Sequence, residues 1–397
     1  MKNSETVATI EPSPTRRRLR DAGVETLNHM RKESRPAGAC KAAGAAASPD
    51  SAVETAVTTP ANPRVAVIGL GYWGPNLVRN FNAILGTDLR ACCDLNSQRG
   101  HALVRNYPEL RFTEDFENIL ADSEIDAVAI ATPVDTHYAL AKAALNAGKC
   151  VLLEKPMCSS VEEAQELVEL ARRTGLVLMV DHTFIFNPAV RKMKEIVDSG
   201  QLGELLFIDS VRINLGLFQR DVNVSWDLAP HDLSIARYLV GRPPKSLSAF
   251  GAAHAGNGIE SIAYLNLDFG DGLIANFHVN WLSPVKIRQT LVGGRSRSLI
   301  YNDVEPTEKI KIYDSGITVR HDNLEDRRRQ LIDYRAGDIW APHISQQEPL
   351  RTMASHFIEC VRDRKPPLTD GQAGLDIVRI LDAAQRSIKA QGGRITL

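Results

Sequence analysis

No run of about 18 or more consecutive apolar residues occurs in this 397-residue chain, which excludes a transmembrane helix of ordinary length. Charge of one sign is also missing: the formal net charge is -1, so no global field selects for nucleic acid or an anionic membrane. Cysteine is sparse and unpatterned. Cys92 and Cys93 are adjacent, a poor geometry for a mutual disulfide, while Cys40, Cys150, Cys158 and Cys360 are scattered with no CxxC pair. The thiols therefore read as buried or incidental, and neither a disulfide framework nor a metal site is expected. The N-terminal segment lacks the apolar core of a secretory signal. These absences together predict a soluble, cytoplasmic protein.

What is present fits that class. The chain is 44% hydrophobic and 24% charged, as in globular proteins, and its length implies two domains. Residues 1–62 differ from the rest, being rich in Ala, Ser, Thr, Pro and charge without an apolar period. Arg16, Arg17, Arg18 and Arg20 would suit a partner-binding arm, but Glu5, Glu11, Asp21 and Glu25 dilute them, which favours a solvated, disordered extension. Met30 is an alternative start.

From Arg64 the pattern changes. Val65-Ala66-Val67-Ile68 is a short apolar run of the kind buried on both faces of a parallel sheet. Strands at 89–93, 127–131, 150–153 and 177–180 alternate with helices near 97–106, 114–121, 136–147 and 161–174. This alternation predicts an α/β Rossmann-type domain with a parallel, doubly wound sheet over residues 63–183. Beyond it the grammar switches. After a helix near 188–199 and a strand from Glu204 to Leu215, strict alternation over 261–281, broken by Gly270-Asp271-Gly272, predicts a hairpin. With further strands at 246–254, 286–294 and 309–313, residues 184–397 read as an α+β domain on a large, mainly antiparallel open sheet, closed by a helix at about 371–390.

Gly69-Leu70-Gly71-Tyr72-Trp73-Gly74 follows the first strand directly and opens a helix, the context that makes a GxGxxG run specific for a dinucleotide. Gly69 permits the turn, Gly71 lets the main chain approach a pyrophosphate, and Gly74 lets the helix pack close to the strand. Amides near Tyr72 and Trp73 would face the phosphates at the positive end of the helix dipole. Asp94 ends the second strand 25 positions after Gly69 and would accept from the adenosine ribose hydroxyls while repelling a 2′-phosphate. NAD is thus expected over NADP, with Arg99 as a complication. A plain strand-end cap is the competing role for Asp94.

Two further strand ends, Ala131-Thr132-Pro133-Val134-Asp135-Thr136-His137 and Leu153-Glu154-Lys155-Pro156, would border the nicotinamide end of the same crevice. Together with the glycine loop and Asp94 they resemble the Gfo/Idh/MocA family of oxidoreductases, from about Arg64 to near the C-terminus. Thr132, Pro133, His137, Glu154 and Lys155 are accordingly expected at the cofactor. Pro156 keeps Lys155 out of the helical region, and an ammonium there can hydrogen-bond a reacting oxygen. In Trp226-Asp227-Leu228-Ala229-Pro230-His231-Asp232, positions 227 and 231 share one helix face, with Asp227 read as the N-cap. The resemblance implies that Asp227, His231 and Lys155 are catalytic, with His231 or Lys155 taking the hydroxyl proton and Asp227 orienting the imidazole. Taken singly, a cap, a core histidine and a salt-bridged lysine are the ordinary roles of these three. Asn223-Val224-Ser225-Trp226 departs from the glycines many family members carry before this aspartate.

The stretch 207–232 looks like the branch that oxidises the 3-hydroxyl of UDP-N-acetylglucosamine or its uronic acid, with Asn187, Arg212 and Arg220 as candidate substrate contacts. An inositol or free-sugar dehydrogenase or ketosugar reductase, and a non-catalytic NAD-binding sensor or scaffold, stand as alternatives. Asn276, His278 and Asn280 fall on one sheet face that is solvent-facing or an oligomer contact. A partly apolar outer face predicts a homodimer or homotetramer, with a small sugar or nucleotide sugar as the substrate and neither nucleic acid nor membrane as partner.

Overall fold

The computed structural model describes residues 62–84, 88–216, 222–254, 256, 258–319 and 332–397. The N-terminal extension with its arginine cluster, and the candidate contact Arg220, lie outside them.

The first sheet has the order β3-β2-β1-β4-β5-β6, with every pairing parallel. Its strands are β1 (Arg64–Ile68), β2 (Asp88–Cys93), β3 (Arg111–Thr113), β4 (Ala127–Ile130), β5 (Cys150–Glu154) and β6 (Leu178–Asp181). The short β3 carries too few residues to show a period, which is why its sequence gives no strand signal. Because β1 lies between β2 and β4, the chain reverses its winding there. The crevice outside the carboxyl ends of β1 and β4 is where such sheets bind ligands. Helices α1 (Gly74–Ala83), α2 (Ser97–Val104), α3 (Phe116–Ala121), α4 (Val134–Asn146) and α5 (Val161–Thr174) connect the strands. Their sequences carry their own boundaries: Pro75 in the first turn of α1, Asn96 capping α2, and Ser160 capping α5, which ends on left-handed Gly175.

After β6 a short 3-10 turn (Thr183–Phe186) leads into α6 (Pro188–Asp198), then β7 (Leu205–Leu215) and α7 (Val224–Val240). The second sheet contains β8 (Ser246–Ala252), β9 (Ile262–Gly270), β10 (Leu273–Asn280), β11 (Leu282–Gly294), β12 (Ser298–Asn302), β13 (Ile310–Val319), β14 (Ile332–Trp340) and β15 (Ile395–Thr396). Its order is β14-β13-β12-β11-β7-β10-β9-β8-β15, antiparallel throughout except where β7 runs parallel to β10. The expected β9–β10 hairpin is present. Ala263, Leu265, Leu267 and Phe269 face the core with Leu273, Ala275, Phe277 and Val279, and Asp271 takes a positive φ of 56° between two left-handed glycines.

Two helices close the molecule, α8 (Pro349–Asp363) and α9 (Gly371–Lys389). Phe357 of α8 meets Phe81 of α1 edge-on at 6.3 Å. The main chain between α8 and α9 is tied to the edge strand of the first sheet, where Val180 donates to the Thr369 carbonyl at 2.8 Å and Thr369 Oγ1 donates back to the Val180 carbonyl. Helix α9 then buries Leu375 and Val378 in one core and Ile377, Ile380, Leu381, Ala383 and Ala384 in the other.

The start of α7 differs from expectation. Asn223, not Asp227, is the N-cap: its Oδ1 accepts from the Trp226 amide at 3.1 Å, while its Nδ2 donates to Glu260 and Gln385. Asp227 therefore sits inside the first turn, and Pro230 lies in the helix interior, leaving the Trp226 carbonyl without its usual donor.

Candidate active site

The glycine loop is packed as its motif requires. Gly69 has φ 88°, and a Cβ there would lie 2.7 Å from the Ala131 carbonyl oxygen and from Thr132 Cγ2. A Cβ on Gly74 would approach the Gly69 carbonyl oxygen to 2.0 Å, so α1 can start only this close to β1 with glycine. Gly71 is the opposite case: its Cβ position meets no atom within 4 Å and opens onto the crevice. A loop closed at two glycines and open at the third, at a helix N-terminus, fits a pyrophosphate. The side chains of Tyr72 and Trp73 are exposed and meet each other edge-on at 5.4 Å.

Asp94 works on the protein as well as facing the crevice. Its Oδ2 accepts from the Leu70 amide at 2.6 Å and its Oδ1 from the Asn96 amide at 2.7 Å, stitching the glycine loop to the start of α2. Each oxygen keeps a lone pair for a ribose hydroxyl. Arg99 stands 3.9 Å away.

At the end of β4, Thr132 Oγ1 accepts from Thr136 at 2.7 Å, and Pro133 is the residue before α4. His137 takes a different place from the one expected. It is buried, with Nδ1 2.9 Å from the Pro156 carbonyl and Nε2 2.9 Å from the Thr132 carbonyl, and burial lowers its pKa. Both ring nitrogens are committed to main chain, so His137 braces the two strand ends from behind. Glu154 is likewise turned inward. It is 8% exposed, its Oε2 accepts from the Lys155 amide, and it lies directly across the sheet from Asp181.

Lys155 reaches from β5 to α7. Its Nζ donates to the Asp227 carbonyl at 2.8 Å and lies 3.5 Å from Asp227 Oδ1, with no ion pair to Glu154. Asp227 Oδ2 accepts from Trp281 Nε1 at 3.1 Å. The carboxylate expected to orient His231 therefore holds the lysine. The alternating pattern assigns Trp281 only to the apolar face; its indole N–H gives it this second task. His231, one turn along α7, is half-buried, with Nδ1 lacking a hydrogen-bond partner and the ring 5.0 Å from Phe184. Burial, then the positive charges of Lys155, Arg212 and Arg288, hold its pKa well below the usual value, so the imidazole is neutral and able to accept a proton.

Two expected substrate contacts are structural. Arg212 is 2% exposed and bonds Asp232 through both Nε (2.6 Å) and Nη2 (2.9 Å), with its guanidinium 4.5 Å from the Phe184 ring. An arginine tied by a bidentate carboxylate and buried this deeply serves as a brace between β7 and α7. Asn187 caps α6 through the Ala189 amide, and its Nδ2 lies 3.4 Å from Tyr301 Oη. The cation left half-buried beside this network is Arg288, which pairs with Arg212 across β7 and β11 and reaches Asp303 at 3.4 Å. Asn276, His278 and Asn280 share one face of β10 as expected, but Asn280 is buried, with its Oδ1 accepting from the Leu282 amide, while Asn276 and His278 are partly exposed. Among the described residues no group of three His, Cys, Asp or Glu could hold a metal ion, and burial pushes the Cys92 and Cys93 thiols up to about 12.

A six-stranded dinucleotide fold with its glycine loop at the switch point, and a lysine held beside it by the first turn of α7, define an NAD-binding oxidoreductase. Residues 63–182 match the oxidoreductase family, NAD-binding Rossmann fold, and residues 190–298 match the GFO/IDH/MocA C-terminal domain. The chain belongs to the Gfo/Idh/MocA family. A putative oxidoreductase of Magnetospirillum magnetotacticum MS-1 of known structure is 30% identical, with a TM-score of 0.70 over 81% of this chain and 99% of that one. The UDP-N-acetylglucosamine 3-dehydrogenase of Acidithiobacillus ferrooxidans is 28% identical over 81% of this chain and 95% of its own length. The scyllo-inositol 2-dehydrogenase (NAD(+)) of Bacillus subtilis is 26% identical over 79% and 91%.

Proposed function

We propose that this chain is a dehydrogenase that uses NAD to oxidise, reversibly, a ring hydroxyl on the sugar of a nucleotide sugar. The observation that carries the reading is the meeting of Lys155 with the first turn of α7, one turn before a neutral, half-buried His231. A sensor that only binds NAD has no need of that arrangement. The bound nicotinamide supplies the hydride acceptor. The chain's own residues manage the proton: Lys155 holds the reacting oxygen, His231 takes the hydroxyl proton, and Asp227 with Trp281 keeps Lys155 aimed. Gly69, Gly71 and Gly74, the amides at Tyr72 and Trp73, Thr132 and Pro133 form the cofactor crevice. Asp94 favours NAD over NADP by charge.

The nucleotide-sugar substrate draws on the 28% relative, and the 26% relative supports a second reading, an inositol dehydrogenase. NADH formation from a panel of UDP-sugars, free sugars and inositols decides between them. Turnover with UDP-N-acetylglucosamine or its uronate supports the first reading, turnover with inositol alone replaces it, and NAD binding with no turnover across the panel returns the sensor. An absorption spectrum of the purified protein comes first, since retained NADH would mask turnover.

The outer face of the second sheet carries Phe250 and Ile274, 55% and 60% exposed, beside Tyr264 stacked on His278 at 4.4 Å. We infer that this face seals against a second copy, which light scattering after size exclusion tests.

A further inference from the structure

Asp181 and His182 close β6 next to the proposed site, and the chemistry above uses neither. Glu154 and Asp181 are direct partners in the β5–β6 register, so their side chains leave the same face of the sheet side by side. They are 8% and 2% exposed. Their donors from elsewhere are the Lys155 amide on Glu154 Oε2, and Thr183 on Asp181 through both its amide and its Oγ1, the latter 2.5 Å from Oδ1. Asp181 Oδ2 is buried, and no donor among the described residues reaches it. Two ionised carboxylates this close and this dry would repel strongly, and the orphaned oxygen would cost the desolvation of a charged acceptor. A proton between the two carboxyls removes both penalties, and burial together with the mutual charge raises the affinity of the pair for it. Lys155 is the cation facing them, while the neighbouring His182 is kept neutral by burial and by the charges of Arg237 and Lys155.

We propose that Glu154 and Asp181 share one proton and act as a single positioning unit for both groups of the proposed proton chemistry. On one side the pair holds the main chain of Lys155 through Glu154. On the other it holds Thr183 through Asp181, and Thr183 opens the 3-10 turn whose Phe184 packs on His231. The unit thus sets the spacing between the β5 end, which carries Lys155, and the ring wall of His231. It keeps one negative charge opposite the ammonium. This rests on the assignment of Lys155 above.

The test uses the full chain with NAD and UDP-N-acetylglucosamine, together with infrared spectroscopy at neutral pH. Misplacing a catalytic group costs up to about 10²-fold, so Asp181→Ala is expected to lower kcat about tenfold, with KM for NAD changing less than about twofold. Asp181→Asn recovers most of that loss, because its amide donates to Glu154 where the shared proton did and leaves the pair with the same charge. The wild type shows the C=O stretch of a protonated carboxylic acid, shifted in heavy water and lost in Asp181→Asn. Absence of that band in the wild type, or an Asn variant as slow as the Ala variant, overturns the proposal. If Asp181→Ala does not fold, the band in the wild type against Asp181→Asn decides alone. In Lys155→Ala the band persists; normal turnover in that variant sinks the catalytic reading of Lys155 and leaves the band to decide the shared proton.

Discussion

Lys155 and Arg212 are both cations close to His231, and they differ in what their partners leave free. Lys155 rests on one carbonyl and a carboxylate 3.5 Å away, so its ammonium retains donor capacity for a ligand. Arg212 spends its fork on Asp232. Replacing Lys155 with Ala or His231 with Asn is therefore expected to lower turnover by at least about 10²-fold while NAD still binds, as measured by steady-state kinetics beside cofactor fluorescence titration. Near-normal turnover in either variant would remove that residue from the chemistry. Asp94 makes a prediction of its own. Asp94→Ala frees the Leu70 and Asn96 amides and removes the charge opposing a 2′-phosphate. The expected result is a KM for NAD raised about tenfold and a narrowed preference over NADP, since losing hydrogen bonds to a charged acceptor costs about 1.5–3 kcal/mol. An unchanged NAD/NADP ratio would leave Asp94 as a loop brace only.

Helix α7 shows what the local pattern conveys and what it hides. Its end is legible in Gly241, which is left-handed at φ 75°, and the face proposed for catalysis in the four-residue step from Asp227 to His231. Its start is misread because Pro230 looks like a first-turn proline, whereas the helix begins two residues before Trp226, at Val224, on an asparagine anchored by Glu260 and Gln385. Such anchors are remote in sequence and leave no local trace. The same holds for Arg212, whose partner Asp232 is on another element, so charge alone makes it look like a ligand contact. β1, the glycine loop and α1 are readable because a buried run, three glycines and an amphipathic face agree within twenty residues. By contrast, α8, β12 and β14 carry no such agreement and go unread. Asp181-His182 had a usable signal: two polar residues directly after a buried strand at the ligand end of a parallel sheet. At this scale the Arg212–Asp232 pair joins β7 to α7. Arg212→Ala should lower stability by about 3–5 kcal/mol in urea unfolding, because Asp232 is left buried and unpaired. A loss under 1 kcal/mol would show the pair to be dispensable.

Across the whole molecule, buried histidines link the site to acid stability. His182 is held down to about 3 from 6.5, first by burial and then by the charges of Arg237 and Lys155, with both ring nitrogens unpartnered. The unfolded chain takes up a proton there below 6.5 and the folded one does not. Stability therefore falls as pH drops from 6.5 toward about 3. His182→Gln is expected to flatten that part of the melting-temperature profile. An equally steep profile in the variant would assign the acid sensitivity to other groups, with His231, lowered in the same direction, the next candidate. Tertiary closure works at the same scale. Among the described residues none forms a helix long and apolar enough to cross a membrane, and the apolar faces instead meet through α9.

That helix is threaded last and yet belongs to both halves. Gly371 and Gly374 allow it to lie against Leu178 and Val180 of the first sheet, and Ser387 meets Ala249 of the second. Recombination within the family is constrained accordingly. A chimera joined once, after β6, would set a foreign α9 against the native β6, while a double crossover that returns the segment from Thr369 onward keeps the cofactor half intact. Because this one helix packs on both sheets, any exchange of halves between relatives replaces one of its two interfaces, wherever the chain is cut.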